Sequence, residues 1–146
     1  MKLISHRGNI NGRIIEEENN PQYIDGAILL GYDVEIDFWI LDGEFYLGHD
    51  EPKYQIEFDF IDGRSHKLWV HCKNIEAIER LNRLDSDINY FWHQEDTLTL
   101  TSKGYVWAHV GKQPIKNSIV VLPEINNDPV SQCYGICSDF IKRYTQ

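Results

Sequence analysis

Residues 33–40 read Asp-Val-Glu-Ile-Asp-Phe-Trp-Ile, and this stretch carries the clearest indication of the fold. Its β-branched and aromatic residues favour a β-strand. Side chains at positions i and i+2 share one face of a strand, so Glu35 and Asp37 project together, and the apolar residues beside them take the opposite face. Paired carboxylates on a buried face are costly unless a cation neutralises them. The stretch therefore predicts a strand with an acidic pair, and the alternative is that this face is solvated.

Six further runs of the same kind lie on either side of this strand. Each is short, apolar and rich in β-branched or aromatic residues, and each has the length of a strand. The additional predicted strands are 2–7, 68–73, 90–94, 105–110, 119–124 and 135–140. The Asp-Gly pair in residues 41–44 favours a hairpin turn, which predicts that residues 44–49 fold back on the strand before them.

Two segments have the features of helices. In the first, Asn20 can cap a helix that has Pro21 at its first position, and Gly31 can end it. The second runs from Asn74 to about Leu84, with apolar residues at helical spacing, and it follows a predicted strand directly. After residue 85 the gaps between predicted strands are too short for full helices, so we expect loops there.

Strands in sequence order with two helical crossovers predict a mostly parallel sheet of the α/β class. Seven strands can close a barrel or form an open sheet, and the sequence pattern leaves both alternatives open. A usual (β/α)₈ barrel needs ~250 residues. A closed barrel of 146 residues would therefore be a small TIM-type (β/α) barrel with several helices reduced to loops. No linker or repeat divides the chain, so we expect a single domain over residues 1–146.

The composition excludes some classes of protein. The chain has 14 basic and 23 acidic residues and a net charge of −9, so it lacks the basic surface of a general nucleic-acid binder. No apolar run approaches the ~20 residues of a membrane span, and residues 1–6 lack the apolar segment of a secretory signal. We therefore expect a cytoplasmic protein, whose three cysteines are free thiols. The oligomeric state stays open.

Most predicted strands end in residues that bind metals, bind phosphate or transfer protons. They are His6, Arg7, Glu35, Asp37, His71, Lys73, His93, Gln94, His109, Glu124 and Asp139. In a parallel barrel these strand ends meet at one rim, where barrel enzymes have their active sites. The acidic pair suits a hard divalent ion such as Mg²⁺ or Ca²⁺, which takes oxygen ligands. Taken singly, His71 or His109 is more often a structural histidine than a functional one.

Four short motifs occur in a fixed order near the start of the chain. They are His6-Arg7-Gly8, Glu18-Asn19, Glu35-x-Asp37 and His49-Asp50. This order resembles the glycerophosphodiester phosphodiesterase family, within the phospholipase-C-like phosphodiesterase superfamily, and residues 135–140 are similar to the last strand of that family. The motifs cover residues 4–50, and the remaining chain matches loosely.

The resemblance implies a TIM-type barrel and metal-dependent hydrolysis of a small-molecule phosphodiester by a phosphoric diester hydrolase. The resemblance implies that His6 and His49 are the general acid–base pair and that Arg7 binds the phosphate. It implies that Mg²⁺ or Ca²⁺ is held by Glu18, Glu35 and Asp37. Asn19 would either support the Glu18 loop or contact the substrate. Lys73 can add a second positive charge for the phosphate. Whether water or a hydroxyl of the substrate attacks is left open.

The chain departs from the family at His71, where the family usually has a glutamate two residues before a lysine. Either His71 replaces a carboxylate ligand or it faces the substrate. The chain is also shorter than usual members. Two alternatives to the hydrolase follow. One is a catalytically degenerate barrel that binds a phosphorylated ligand without cleaving it, and the other is a barrel enzyme of another type, such as a sugar-phosphate lyase or isomerase.

Overall fold

The computed structural model describes residues 1–145, which form one mixed β-sheet with short helices. The strands of this part of the chain are β1 (Lys2–His6), β2 (Asp33–Leu41), β3 (Glu44–Leu47), β4 (Tyr54–Ile56), β5 (Leu68–Cys72), β6 (Asn89–Trp92), β7 (Leu98–Leu100), β8 (Val106–Ala108), β9 (Ser118–Val121) and β10 (Gly135–Ser138). The α-helices are α1 (Pro21–Leu29), α2 (Phe58–Asp62), α3 (Ile75–Arg83) and α4 (Pro123–Asn126), and a 3₁₀ turn spans Ile141–Tyr144.

The seven strands that the sequence predicts are all present, and they run parallel. Their spatial order is β8, β9, β10, β1, β2, β5 and β6. The predicted hairpin is also present: β3 is antiparallel to the last part of β2, and Asp42 and Gly43 both have the positive φ that a tight hairpin turn requires. Two strands that the sequence analysis did not predict, β4 and β7, add antiparallel pairings to β3 and β8.

The prediction of a small TIM-type (β/α) barrel is wrong. Residues 1–145 form a sheet-rich, curled half-barrel, in which no backbone pairing joins β6 to β8. The longest α-helices of this region, α1 and α3, have nine residues each, and α2 and α4 have five and four. After Arg83 the strands are connected by loops and short turns, which cannot supply the outer ring of helices that surrounds a TIM barrel.

The two predicted helices form where their capping residues are. The side chain of Asn20 accepts a hydrogen bond from the backbone N–H of Gln22 at 3.0 Å, and α1 begins at Pro21. The side chain of Asn74 accepts from the N–H of Ala77 at 3.2 Å at the start of α3. Both caps satisfy donors that a helix leaves free at its first turn. Among residues 1–145, no helix is long and apolar enough to cross a membrane.

Successive side chains of the strands point to opposite faces of the sheet, so apolar residues form an outer core on the convex face and an inner core on the concave face. The outer core packs α1 and α3 against Val34, Ile36 and Phe38 of β2, which are completely buried. The inner core, on the concave side, includes Ile4, Trp69, Phe91, Trp107 and Ile119. The acidic residues of β2 therefore lie on the concave side, as the spacing predicts. Polar side chains at the carboxyl ends of the parallel strands lie above the inner core.

Candidate functional site

The register of three parallel strands brings four predicted site residues together. His6 of β1 pairs with Glu35 of β2, and Asp37 of β2 pairs with His71 of β5. Residues in register on neighbouring strands have adjacent side chains on the same face of the sheet. The side chains of Glu35 and Asp37 are 3 % and 0 % exposed, so both carboxylates are almost completely removed from water. Burial of two acids side by side is the central feature of this site.

Glu35, Asp37 and His71 form a cluster that could hold a metal ion. Each offers one ligand atom, and these atoms all lie within 4.8 Å of one another. Nδ1 of His71 is 3.1 Å from Oδ1 of Asp37 and 3.8 Å from Oε1 of Glu35. Oε2 of Glu35 and Oδ1 of Asp37 are buried without a hydrogen-bond partner within the described residues. Buried carboxylate oxygens without a partner are costly, and a bound cation would satisfy them.

The other nitrogen of His71 determines how its ring is oriented. Nε2 lies 2.7 Å from the backbone carbonyl of His93, and a carbonyl can only accept, so Nε2 carries a proton and donates. Nδ1 then presents its lone pair to the two carboxylates in the neutral ring. A metal-bound histidine commonly donates its second N–H to a carbonyl in this way. Both roles considered for His71, a ligand in place of a glutamate and a contact to the substrate, stay predictions.

The two buried acids have pKa values that shift in opposite directions. Burial, together with the charge of Asp37, raises the pKa of Glu35 well above its usual value. Although burial opposes it, the hydrogen bond from His49 and the charge of Arg7 lower the pKa of Asp37 well below its usual value. The charge of Asp37 thus opposes the ionisation of Glu35, and a bound divalent ion would offset this effect.

Glu18, predicted as a metal ligand, lies outside this cluster. Its carboxylate accepts hydrogen bonds from Arg7 at 3.1 Å, from Nε of Arg13 at 2.7 Å and from the amide of Asn9 at 3.1 Å. Although burial opposes it, the hydrogen bond from Arg13 and the charge of Arg7 lower the pKa of Glu18. The structure thus places Glu18 as an anchor for two arginines, and His71 occupies the third position beside Glu35 and Asp37.

Arg7 connects the cluster with its surroundings. Its Nε lies 3.0 Å from Oδ2 of Asp37, and one terminal nitrogen donates to Glu18 while the other lies 3.3 Å from Nε2 of His49. Although burial opposes it, the charges of Asp37, Glu35 and Glu18 raise the pKa of Arg7. The guanidinium is therefore a fixed, charged donor at the mouth of the half-barrel, next to the candidate cation site.

The backbone at Arg7 and Gly8 explains why the motif has a glycine. Both residues have positive φ angles, 55° and 93°. A Cβ atom on Gly8 would lie 2.6 Å from Cδ1 of Tyr23, which is closer than non-bonded carbon atoms can approach. A residue without Cβ is thus required for the chain to turn here and to return Arg7 to the site.

Each of the two predicted acid–base histidines has a carboxylate beside its Nδ1. His6 lies 2.7 Å from Oδ1 of Asp139, and His49 lies 3.3 Å from Oδ2 of Asp37. Asp139 ends a predicted strand, and the motifs assign it no role. Although burial opposes it, the hydrogen bond and charge of His6 lower the pKa of Asp139. A carboxylate in this position fixes the ring and stabilises its charged form.

Asn19 supports the site instead of facing an open cavity. Its amide nitrogen donates to Oδ2 of Asp37 at 2.9 Å, and its amide oxygen accepts from the backbone N–H of Asp37 at 2.9 Å. Asn19 is completely buried and has a positive φ of 64°. These two bonds hold the Asp37 carboxylate in place, whereas the roles predicted for Asn19 were support of the Glu18 loop or a contact to the substrate.

A cavity of ≈340 Å³ opens at this end of the half-barrel. Its lining residues are His6, Arg7, Glu35, His49, His71, Lys73, His93, Gln94, Trp107, His109, Val121 and Leu122. Nζ of Lys73 lies 3.7 Å from Oδ1 of Asp37, so a second cation stands beside the acidic pair. A larger cavity of ≈500 Å³ lies on the outer side between α3 and the hairpin of β2 and β3, away from these residues. The smaller cavity is therefore the candidate site.

No family model, curated protein or solved structure matches the chain. The resemblance to the glycerophosphodiester phosphodiesterase family rests on the four sequence motifs alone and stays a prediction.

Proposed function

We propose that this protein hydrolyses a small-molecule phosphodiester with a divalent cation held by Glu35, Asp37 and His71. The observation that carries the proposal is the position of the buried cluster, with two unpartnered carboxylate oxygens, beside Arg7 and Lys73 in one cavity. The likeness of the motifs to the glycerophosphodiester phosphodiesterase family supports a substrate of that type. A cytoplasmic location remains part of the proposal.

The ligand set fits a divalent cation. Two carboxylates supply the oxygens that Mg²⁺ and Ca²⁺ prefer, and the imidazole extends the range to ions such as Mn²⁺ that accept both oxygen and nitrogen. When bound, such an ion stabilises negative charge on the phosphoryl group and lowers the pKa of a bound hydroxyl.

The chain's own residues would supply binding and proton transfer. Arg7 has a planar set of donors that matches phosphate oxygens, and Lys73 adds a positive charge on the other side of Asp37. His6, oriented by Asp139, is suited to accept the proton of the attacking hydroxyl, whether this belongs to water or to the substrate. His49 is the second member of the acid–base pair that the motifs imply. Local cations and a bound ion would attract an anionic substrate despite the net charge of −9.

One observation favours the alternative that the protein binds a phosphorylated ligand without cleaving it. All three nitrogens of the Arg7 guanidinium already lie close to Asp37, Glu18 and His49. These contacts use three of the five N–H donors of the guanidinium, so a phosphate can reach Arg7 only through the two that remain. A site that holds its arginine this tightly is compatible with slow or absent turnover.

The direct test is turnover of a panel of diesters, including glycerophosphodiesters, in the presence of Mg²⁺, Ca²⁺ or Mn²⁺. We expect release of a phosphomonoester or a cyclic phosphate, abolished by EDTA and by Asp37→Asn but not by His66→Asn, which changes an exposed histidine outside the cavity. Normal cation binding without turnover of any diester would refute the hydrolase. A crystal that retains an intact diester after long incubation would establish the binding protein instead.

A further inference from the structure

His93 has the features of an oriented proton donor, yet the motifs assign it no role. It follows β6, its side chain is 14 % exposed, and its Nδ1 lies 2.9 Å from Oδ2 of Asp96. The other oxygen of Asp96 accepts from the backbone N–H of Gln94 at 2.9 Å. Although burial opposes it, these hydrogen bonds from Gln94 and His93 lower the pKa of Asp96. The carboxylate is therefore fixed at both oxygens, and the imidazole that it holds lines the candidate cavity.

The free nitrogen of His93 distinguishes it from His49. Nε2 of His49 lies 3.3 Å from a terminal nitrogen of Arg7, which can only donate, and its Nδ1 lies 3.3 Å from Asp37. Both ring nitrogens of His49 are thus engaged. Within residues 1–145, Nε2 of His93 has no hydrogen-bond partner, so it is available to a ligand.

The order of the strands places His6 and His93 on opposite sides of the cluster. His6 lies on β1, on one side of the cluster on β2 and β5, and His93 follows β6 on the other side. The carbonyl of His93 accepts the hydrogen bond of His71, and the centres of the two rings are 5.9 Å apart. In phosphoryl transfer the attacking and leaving oxygens lie on opposite sides of phosphorus. Two histidines on opposite sides of the cluster can serve one oxygen each.

We propose that His93, oriented by Asp96, donates the proton to the leaving alcohol in place of His49. This assignment rests on the proposed hydrolase function, and it differs from that function only in the residue that donates the proton, which is His93 instead of His49. The attacking oxygen forms its bond to phosphorus and gives its proton to His6. The bond from phosphorus to the leaving oxygen breaks, the electron pair stays on that oxygen, and the proton comes from Nε2 of His93. Asp96 acts as a positioning residue, and His49 holds Arg7 and Asp37.

The test compares two diesters that differ in how much their leaving group needs a proton. An alkyl diester releases a strongly basic alkoxide, whereas a p-nitrophenyl diester releases a stable phenolate. We expect His93→Asn to lower kcat for the alkyl diester by about 10²–10⁴-fold, the usual contribution of general acid catalysis, and to change kcat for the p-nitrophenyl diester by less than about tenfold. Asp96→Asn should also lower kcat more for the alkyl diester than for the p-nitrophenyl diester, but the decrease should be smaller than in His93→Asn.

Two controls separate this role from a structural one. His66→Asn should leave both rates unchanged, and His49→Asn should lower both rates together because it disturbs Arg7 and Asp37. Thermal unfolding should show that the variants fold, and His93→Gln provides a second variant if His93→Asn does not. Equal losses on both substrates in the His93 variants, or the selective loss in His49→Asn, would overturn the assignment. If the native protein cleaves neither diester, the hydrolase function itself is refuted and the role of His93 with it.

Discussion

Nδ1 of His71 lies 3.1 Å from Oδ1 of Asp37, although no hydrogen bond of acceptable geometry joins this oxygen to any described residue. Because Nε2 of His71 donates to the carbonyl of His93, the neutral ring turns a lone pair toward the carboxylate. Two lone pairs at this distance repel each other, and either a proton or a metal ion between them removes the repulsion. This contact therefore makes His71 the residue whose substitution is most informative about the cation.

Substitution of His71 should change which cations bind. We expect His71→Glu to strengthen binding of Mg²⁺ and Ca²⁺, because a third carboxylate suits hard ions, and His71→Ala to weaken binding of Mn²⁺ by at least about tenfold. Isothermal titration calorimetry with each ion measures both effects. His66→Ala serves as the control for the loss of a histidine outside the cavity. Unchanged affinity for all ions in both His71 variants would contradict the proposed ligand set.

The raised pKa of Glu35 predicts how stability depends on pH in the metal-free protein. A carboxyl group whose pKa is higher in the folded than in the unfolded state contributes stability at low pH, and this contribution is lost as pH rises through the folded pKa. We therefore expect the free energy of unfolding to fall as pH rises above about 4.3, the usual pKa of a glutamate. Glu35→Gln should remove this dependence and raise the free energy of unfolding of the metal-free protein at pH 7.

Chemical denaturation across the pH range, in the presence of EDTA, measures the effect of Glu35→Gln. The same experiment with excess divalent cation provides the control, because an ion that binds only the folded state stabilises the native protein but not the variant. If native protein and variant show the same pH dependence in EDTA, the two acids are not competing for charge in the folded state.

Asp139 should matter for both catalysis and stability through its contact with His6. We expect Asp139→Asn to lower kcat by at least about 100-fold, since an amide neither fixes the same tautomer nor stabilises a charged imidazole. The pKa of Asp139 is lowered in the folded state, so its contribution to stability is present above the unfolded pKa of about 3.9 and is lost as pH falls through the folded value.

The measurement for Asp139 is the difference in free energy of unfolding between native protein and Asp139→Asn at several pH values. This difference should be constant near neutral pH and should shrink below about pH 4. A suitable control is Asp50→Asn, which removes a carboxylate that is 94 % exposed. A difference that grows as the pH falls would contradict the assigned direction of the pKa shift.

The sequence predicted the features that depend on local periodicity. The alternation of side chains along residues 33–40 predicted the apolar and the acidic faces of β2. The capping residues Asn20 and Asn74 predicted where α1 and α3 begin. Closure of the sheet was predicted wrongly because it depends on long-range pairing. Nothing in the short segments after Arg83 indicates that β7 adds to β8 while β6 and β8 stay unpaired.

The candidate site was predictable to a similar extent. The motif order located His6, Arg7, Glu35 and Asp37, whose positions follow from strand register. It predicted Glu18 as a metal ligand but gave no indication of the ion pairs that the folded loop brings to this carboxylate, here with Arg7 and Arg13. The contact of Asp139 with His6 joins residues 133 positions apart and follows only from the pairing of β1 with β10.

Gly8 provides a test of the backbone that positions Arg7. We expect Gly8→Ala to destabilise the protein by about 1–3 kcal/mol, because the residue has a φ of 93° and its Cβ would collide with the ring of Tyr23. Gly31→Ala is the matched control, since Gly31 has a similar φ of 97° but no atom within 4 Å of the added Cβ. The difference between the two variants in the free energy of unfolding, measured by urea denaturation, gives the cost of the collision between the added Cβ and the ring of Tyr23. Equal destabilisation would show that Tyr23 moves aside at little cost, and that the motif needs glycine for its backbone conformation alone.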